Sequence, residues 1–167
     1  LSLSLYKRGS HSPSFAHNKI DFRGPDHQQT IDIKCKNGWS GHARHSRLSI
    51  LDTGPNANQP ITFGNRILLF NGEIYNFLHL ADKYCDGRNK TSDTRVLVDL
   101  LERIDFEEVM ELIEGQYAIV VVDQDKNCIQ LARDYYGEKP LFVRLEANSV
   151  QIASDVACFK EASINSK

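Results

Sequence analysis

The spacing of apolar residues divides the chain into two blocks of strands with helices between them. Apolar and polar residues alternate at positions 1–5 and 31–35, the period of two that predicts strands with one buried face. A further strand is predicted at residues 48–51, directly after a stretch rich in histidine and arginine, and a short one near Ile61. These four segments form the first block of strands.

Three helices are predicted after this block, at residues 77–84, 93–104 and 106–113. The second has the clearest pattern, because apolar residues recur on one of its faces: Val96, Leu97, Leu100, Leu101 and Ile104. Residues 91–93 supply capping side chains at its start. Asp93 is expected in the first turn, where a carboxylate complements the exposed N–H groups of the helix.

The second block of strands is predicted at residues 117–122, 129–133, 141–145 and 150–153. Their short connections favour an antiparallel meander. Residues 118–122 are apolar at every position, which indicates a strand that is covered on both faces. Helices between two blocks of antiparallel strands, with one strand buried on both faces, predict an α+β layered sandwich.

Composition limits the domain count and the kinds of partner. The 167 residues are 41% hydrophobic and fit one domain, expected at residues 1–157, with the polar residues 158–167 beginning a linker. A net charge of −2 provides no field to attract nucleic acid or an anionic membrane, and no apolar run reaches about 18 residues. The four cysteines are irregularly spaced, which favours a reducing, cytoplasmic setting. A small molecule or a protein is the expected partner.

The main candidate for chemistry is the segment at residues 70–76, which follows an apolar run directly. Asn71-Gly72 is a strong signal for a hairpin turn, because both residue types accept a positive φ. The same pair could instead present a carboxamide and a backbone N–H at a strand end, as donors to a developing oxyanion. These seven residues alone do not decide between the two. His42 and His45 have no third ligand at a matching distance, so no metal site is predicted.

Six motif blocks together decide the question in favour of the oxyanion donors. They are Arg23-Gly24-Pro25-Asp26, Arg47-Leu48-Ser49-Ile50-Leu51-Asp52, Gln59-Pro60, Asn71-Gly72-Glu73-Ile74-Tyr75-Asn76, Thr91-Ser92-Asp93-Thr94, and Ala132-Arg133-Asp134 with Gly137 and Lys139-Pro140-Leu141. In this order, from about residue 22 to 155, they resemble the class II glutamine amidotransferase domain of asparagine synthetase and its relatives. The resemblance implies the N-terminal-nucleophile hydrolase fold, a four-layer α/β/β/α sandwich with two antiparallel sheets.

The resemblance also implies a reaction and a set of site residues. Glutamine would be hydrolysed to glutamate and ammonia by an N-terminal cysteine, whose own α-amine carries the proton. Asn71 and Gly72 would hold the oxyanion, Arg47 the substrate α-carboxylate and Asp93 its α-ammonium. Glu73 and the residues Leu48, Ile50 and Leu51 would close the pocket. Arg44 competes with Arg47, because the family usually has one arginine shortly after the histidine.

The nucleophile itself has no match, because Leu1 is the first residue and Cys35 lies inside a predicted strand as a core residue. We expect that a cysteine stands just ahead of Leu1 and that this chain is inactive as it stands. The alternative is a diverged, non-catalytic domain that keeps the pocket for binding or regulation. The glutaminase domain needs no metal or cofactor, whereas the implied C-terminal synthetase domain, a ligase that would receive the ammonia, would use ATP and Mg²⁺.

Overall fold

The computed structural model describes residues 1–10, 15–48, 54, 57–87 and 89–159, apart from the side chain of Arg23. Within these ranges, nine strands and three α-helices form in the following order: β1 (Ser2–Lys7), β2 (His27–Lys34), β3 (Trp39–Arg47), β4 (Ile61–Phe63), β5 (Arg66–Ile74), α1 (Phe77–Tyr84), α2 (Asp93–Arg103), α3 (Phe106–Leu112), β6 (Gly115–Asp123), β7 (Cys128–Arg133), β8 (Phe142–Glu146) and β9 (Ser149–Ala153). The α+β class predicted from the sequence is confirmed.

The strands form two antiparallel sheets that pack face to face. The first has the order β2-β3-β1-β9-β8 and the second the order β4-β5-β6-β7. The layer between them is apolar: Leu1, Leu3, Leu5, Ile33, Ala43 and Ile152 face it from the first sheet, and Ile67, Leu69, Ala118, Val120 and Val122 from the second. Alternate residues of each strand point to opposite faces, so every second position enters this layer.

The three α-helices cover the other face of the second sheet. Ile119 and Val121 of β6 pack against them, so β6 is apolar on both faces, as its sequence predicts. Helix α2 begins after Ser92, whose Oγ accepts a hydrogen bond from the N–H of Arg95 at 3.3 Å. Among the described residues, no helix is long and apolar enough to cross a bilayer.

A short 3-10 helix, His17–Arg23, lies on the outer face of the first sheet. Ile20 of this helix packs against Cys158, and Phe159 forms an isolated β-bridge with Phe15. The packed part of the chain thus extends to Phe159. Residues 160–167, for which a linker is expected, lie outside the described residues.

Two predictions about the strands are wrong. The four C-terminal strands do not form a meander, because the chain crosses from the second sheet to the first between β7 and β8. The Asp134 carboxylate accepts hydrogen bonds from the N–H groups of Glu138 and Lys139 and so forms the turn that redirects the chain. The basic stretch, expected to precede a strand at residues 48–51, is itself strand β3, which ends at Arg47, and Leu48 lies outside a strand. Residues 49–51 lie outside the described residues.

The hairpin considered at Asn71-Gly72 is also wrong, because β5 continues through both residues to Ile74 and pairs with β6 along its whole length. Tyr117, the partner of Gly72, uses its own N–H and C=O for Asp134. The N–H and C=O of Gly72 therefore point away from β6. A side chain at Gly72 would not fit, since its Cβ would lie 2.0 Å from Gln116 O at a φ of +153°.

Replacing this glycine tests the close contact between β5 and β6. Gly72→Ala should lower the free energy of unfolding by more than about 2 kcal/mol, because the methyl group forces the two backbones apart. Gly64→Ala is the control, since Gly64 also has a positive φ but a Cβ there meets nothing within 4 Å. The control should lose only about 1 kcal/mol in urea denaturation. Equal losses in the two variants would contradict the close approach.

The partly buried His17 predicts a pH dependence of stability. Its Nδ1 lies 2.8 Å from Ser2 Oγ, and burial, with the charges of His42 and Arg44, lowers the pKa of His17 to about 4. Between the unfolded pKa of about 6.5 and the folded pKa of about 4, the unfolded chain therefore binds more protons than the folded chain. The contribution of His17 to the free energy of unfolding is complete above about pH 6.5 and is lost as the pH falls toward 4.

The variant His17→Asn removes this titration and keeps a polar group beside Ser2. Between about pH 7.5 and about pH 4.5, the free energy of unfolding should decrease by roughly 1–2 kcal/mol less in this variant than in the unchanged protein. This figure allows for the partial exposure of the ring. Urea denaturation at the two pH values measures the difference. His79→Asn, on the exposed side of α1, is the control and should leave the pH dependence unaltered.

Candidate active site

A cavity of about 300 Å³ opens at one end of the layer between the two sheets. Deeper in this layer the inward-facing residues are apolar, but toward this end they become polar. On β3, His45 and Arg47 follow Ala43 on the same face, and on β5, Asn71 and Glu73 occupy the corresponding positions. All four polar residues line the cavity. The site is thus formed by the polar ends of core-facing strands.

Arg47, the last residue of β3, is only 8% exposed. Its Nη1 donates hydrogen bonds to Gly54 O and to Asn58 Oδ1, both at 2.9 Å. These contacts come from the chain between β3 and β4 and hold the guanidinium in the cavity wall. A buried guanidinium fixed in this way can bind a carboxylate through its planar fork of N–H groups.

The Arg23-Gly24-Pro25-Asp26 turn braces the same strand end. A Cβ on Gly24 would lie 2.3 Å from Ser46 O, so only glycine lets the turn approach β3 this closely. The N–H of Asp26 also donates to Arg47 O at 3.1 Å. A motif that the sequence shows only as a turn therefore fixes the backbone of Arg47.

Arg44 lies on the opposite face of the first sheet, because it is an odd number of residues from Arg47. Its Nε and Nη2 donate to the two oxygens of Asp21 at 2.9 and 2.8 Å, and its Nη1 donates to Thr30 Oγ1 at 3.0 Å. This pairing lowers the pKa of the Asp21 carboxyl group. Arg44 does not line the cavity, whereas Arg47 does.

Asp93 enters the cavity from the first turn of α2 and is 6% exposed. Its Oδ2 accepts from the N–H of Ile74 at 3.1 Å, and its Oδ1 accepts from the N–H of Thr94 at 2.7 Å. Burial raises the pKa of Asp93, the nearby charge of Glu73 raises it further, and these hydrogen bonds oppose the rise. A cation beside this carboxylate would stabilise its charged form.

Asn71 and Gly72 present two hydrogen-bond donors to the cavity. The Gly72 N–H points away from β6, and both residues line the cavity. Within the described ranges, the Asn71 carboxamide has no hydrogen-bond partner. Such a pair can receive a negatively charged oxygen, since both donors are already in place.

The remaining wall of the cavity comes from the two ends of the described chain. The Leu1 nitrogen donates to Ser154 Oγ at 3.1 Å, and the N–H of Ser154 donates to Leu1 O at 3.0 Å. This contact fixes the start of β1 beside the cavity. Lys139 lines another side, and the exposed Leu48 lies at the edge. The predicted pocket residues Ile50 and Leu51 lie outside the described residues.

Sequence reasoning assigned no role to several cavity residues: Leu1, His45, Gln59, Lys139 and Ser154. The two-residue spacing of His45 and Arg47 is the signal that could have placed the histidine, since it puts both on one face of a strand. His42 lies on the other face and pairs with Asp32 at 2.9 Å. Among the described residues, no three His, Cys, Asp or Glu side chains are grouped to hold a metal ion.

Comparison with known proteins identifies the family. A family model described as a glutamine amidotransferase domain matches residues 6–167. Among solved structures, glutamine phosphoribosylpyrophosphate amidotransferase from Bacillus subtilis, in complex with ADP and GMP, superposes with a TM-score of 0.71 over 95% of this chain and 42% of that one, at 18% identity. This likeness shows that the two chains share a fold, as expected for the layered sandwich of two antiparallel sheets that the motif resemblance implies.

Curated relatives are longer proteins. Asparagine synthetase [glutamine-hydrolyzing] 2 of Bacillus subtilis is 36% identical over 140 residues, which cover 82% of this chain and 18% of the relative. A putative asparagine synthetase [glutamine-hydrolyzing] 2 of Methanocaldococcus jannaschii is 29% identical over 153 residues, which cover 82% of this chain and 29% of the relative. The chain thus spans less than a third of the length of these relatives. It belongs to the glutamine amidotransferase domain family, as a class II domain of the asparagine synthetase-like kind.

Proposed function

We propose that this chain is the glutaminase domain of an asparagine synthetase-like protein, and that its cavity binds glutamine for hydrolysis to glutamate and ammonia. The observation that carries the proposal is that Arg47, Asp93 and the Gly72 N–H line one cavity of about 300 Å³. The four cysteines, all in the described part of the chain, form no disulfide bond, which supports a reducing, cytoplasmic setting for the protein.

The proposed binding mode matches each charged group of glutamine to one side chain. The Arg47 guanidinium binds the α-carboxylate through two parallel hydrogen bonds. The α-ammonium lies against Asp93, whose burial makes a nearby positive charge favourable. The side-chain amide oxygen then points to Asn71 and Gly72. Glu73 and Leu48 complete the described part of the wall.

The proposed reaction needs a cysteine at the start of β1, ahead of Leu1. Its α-amine would take the thiol proton as the sulfur bonds to the amide carbon, and the C=O electron pair would move to the oxygen held by Asn71 and Gly72. A proton from the cysteine α-ammonium would pass to the departing nitrogen, which leaves as ammonia. Water would then cleave the thioester and release glutamate. The ammonia would serve a C-terminal synthetase domain that uses ATP and Mg²⁺, whereas glutamine hydrolysis itself requires neither.

A second candidate is a non-catalytic module that binds glutamine for regulation. It is supported by the absence of a thiol at the cavity: in the part of the chain that the structure describes, none of the four cysteines lines it. Both candidates predict glutamine binding. They differ in whether the natural protein, with whatever precedes Leu1, releases ammonia from glutamine.

Binding of L-glutamine to this chain, measured by calorimetry, tests the substrate assignment. Arg47→Lys should weaken binding by about tenfold or more, because an ammonium cannot form two parallel hydrogen bonds with a carboxylate. The matched control is Arg44→Lys on the opposite face of β3, which should leave the affinity unchanged. Melting temperatures of both variants show that they are folded. Equal affinities for Arg47→Lys and Arg44→Lys would contradict the role of Arg47.

Ammonia release separates the two candidate functions. Residues 1–167 should bind glutamine without releasing ammonia, whereas the natural protein with a cysteine directly ahead of Leu1 should release it, with or without a chelator. In that protein, Asn71→Ala should lower kcat by about 100- to 1000-fold, since one oxyanion donor is lost. Asn65→Ala, at the other end of β5, is the control and should retain activity. A natural protein that binds glutamine without hydrolysing it would favour the regulatory module.

A further inference from the structure

Two buried side chains hold the peptide groups of Phe70, the residue directly before the oxyanion donors. The pairing of β4 with β5 ends at Leu68. Phe70 is the next residue of β5 whose N–H and C=O point away from β6, and no described strand lies beside it. Gln59 Oε1 accepts from the Phe70 N–H at 2.6 Å, and His45 Nε2 lies 2.9 Å from Phe70 O. Gln59 and His45 are 4% and 5% exposed. Both therefore replace the missing strand.

The contact with Phe70 defines the tautomer of His45. A carbonyl oxygen can only accept a hydrogen bond, so Nε2 must carry the hydrogen and donate it. Burial is the main cause that lowers the pKa of His45 to about 3, so the ring is neutral at physiological pH. Its Nδ1 then carries a lone pair. This atom is buried and has no hydrogen-bond partner among the described residues, and His45 lines the cavity.

We propose that His45 is a positioning residue for the hydrolysis proposed above: its Nε2–H fixes the Phe70 carbonyl and so orients the peptide that leads into Asn71 and Gly72. The Phe70 carbonyl and the Asn71 N–H belong to one planar peptide unit. Fixing that oxygen therefore fixes the peptide plane that precedes the Cα of Asn71, from which the carboxamide side chain projects. His45 Nδ1 is a neutral hydrogen-bond acceptor at the cavity wall. It is too weakly basic to serve as a general base.

The protonation state is tested without reference to glutamine, by NMR of the chain with ¹⁵N-labelled histidine. His45 should remain in the neutral Nε2–H form between about pH 5 and pH 8, with no titration midpoint in that range. His42→Gln and His45→Gln variants identify the resonances of these two histidines. The Nδ1–H tautomer would overturn the proposal whatever the substrate is, because Nε2 would then have no hydrogen to donate to Phe70 O.

Two substitutions then separate the two ring nitrogens. The Gln side chain places its amide near the position of Nε2 and can still donate to Phe70 O, whereas the shorter Asn reaches only the position of Nδ1. In the natural full-length protein, His45→Asn should lower kcat by about 10- to 100-fold with KM within about threefold, because the donors are misplaced. His45→Gln should stay within about threefold of the unchanged enzyme.

The other outcomes contradict the positioning role. If both variants lose activity equally, the ring itself is needed, and if only His45→Gln loses activity, Nδ1 is the important atom. Full activity in both variants would show that the Phe70 contact has no effect on the reaction. Melting temperatures ensure that folded proteins are compared. A protein that never hydrolyses glutamine would refute the proposed function, and the NMR titration would still decide the state of His45.

Discussion

The site depends on the shortness of β4, which leaves one edge of β5 without a strand. β4 pairs with residues 66–68 only, yet β5 continues to Ile74. Unpaired backbone groups in a buried edge are costly, so each needs another partner. The partners are side chains: Gln59 and His45 bind the Phe70 peptide groups, and Asp93 binds the Ile74 N–H. Gly72, between them, is left facing the cavity. The Gly72 N–H faces the cavity because β4 ends before it and β6 lies on the other side of β5.

Residues from distant parts of the chain also support this site. Gly24 packs against the backbone of β3 and thereby supports Arg47. Asp134 binds the N–H groups of the turn that leads to Lys139, and these donors outweigh the effect of burial and lower the pKa of Asp134. Each motif block thus either lines the cavity or holds the backbone of a residue that does.

Much of the fold could be predicted from the sequence, because burial on one or both faces leaves a periodic pattern. The alternation at residues 1–5, the apolar run of β6 and the capped helix α2 were all correct. The pattern failed at β3, whose basic residues do not look like a strand, since its outer face pairs with Asp21 and its inner face enters the cavity. It also failed at the crossing from β7 to β8, because a short connection does not reveal which sheet the next strand joins.

The candidate site was predicted less from pattern than from motif blocks, and the reason is physical. The alternation of apolar and polar residues shows which face of a strand is buried, and a polar residue on a buried face is a defect in that alternation. His45 and Arg47 on β3, like Asn71 on β5, are such defects, because each occupies a core-facing position at the open end of the layer between the sheets.

A polar side chain in that position is stable only if its hydrogen-bonding groups are satisfied by the fold or by a ligand. The fold satisfies Arg47 through Gly54 and Asn58. Among the described residues, the buried His45 Nδ1 has no such partner, and the half-buried Asn71 side chain lines the same cavity. A buried nitrogen without a partner, beside other polar side chains at one end of an otherwise apolar layer, therefore marks the place where a polar ligand would complete the structure.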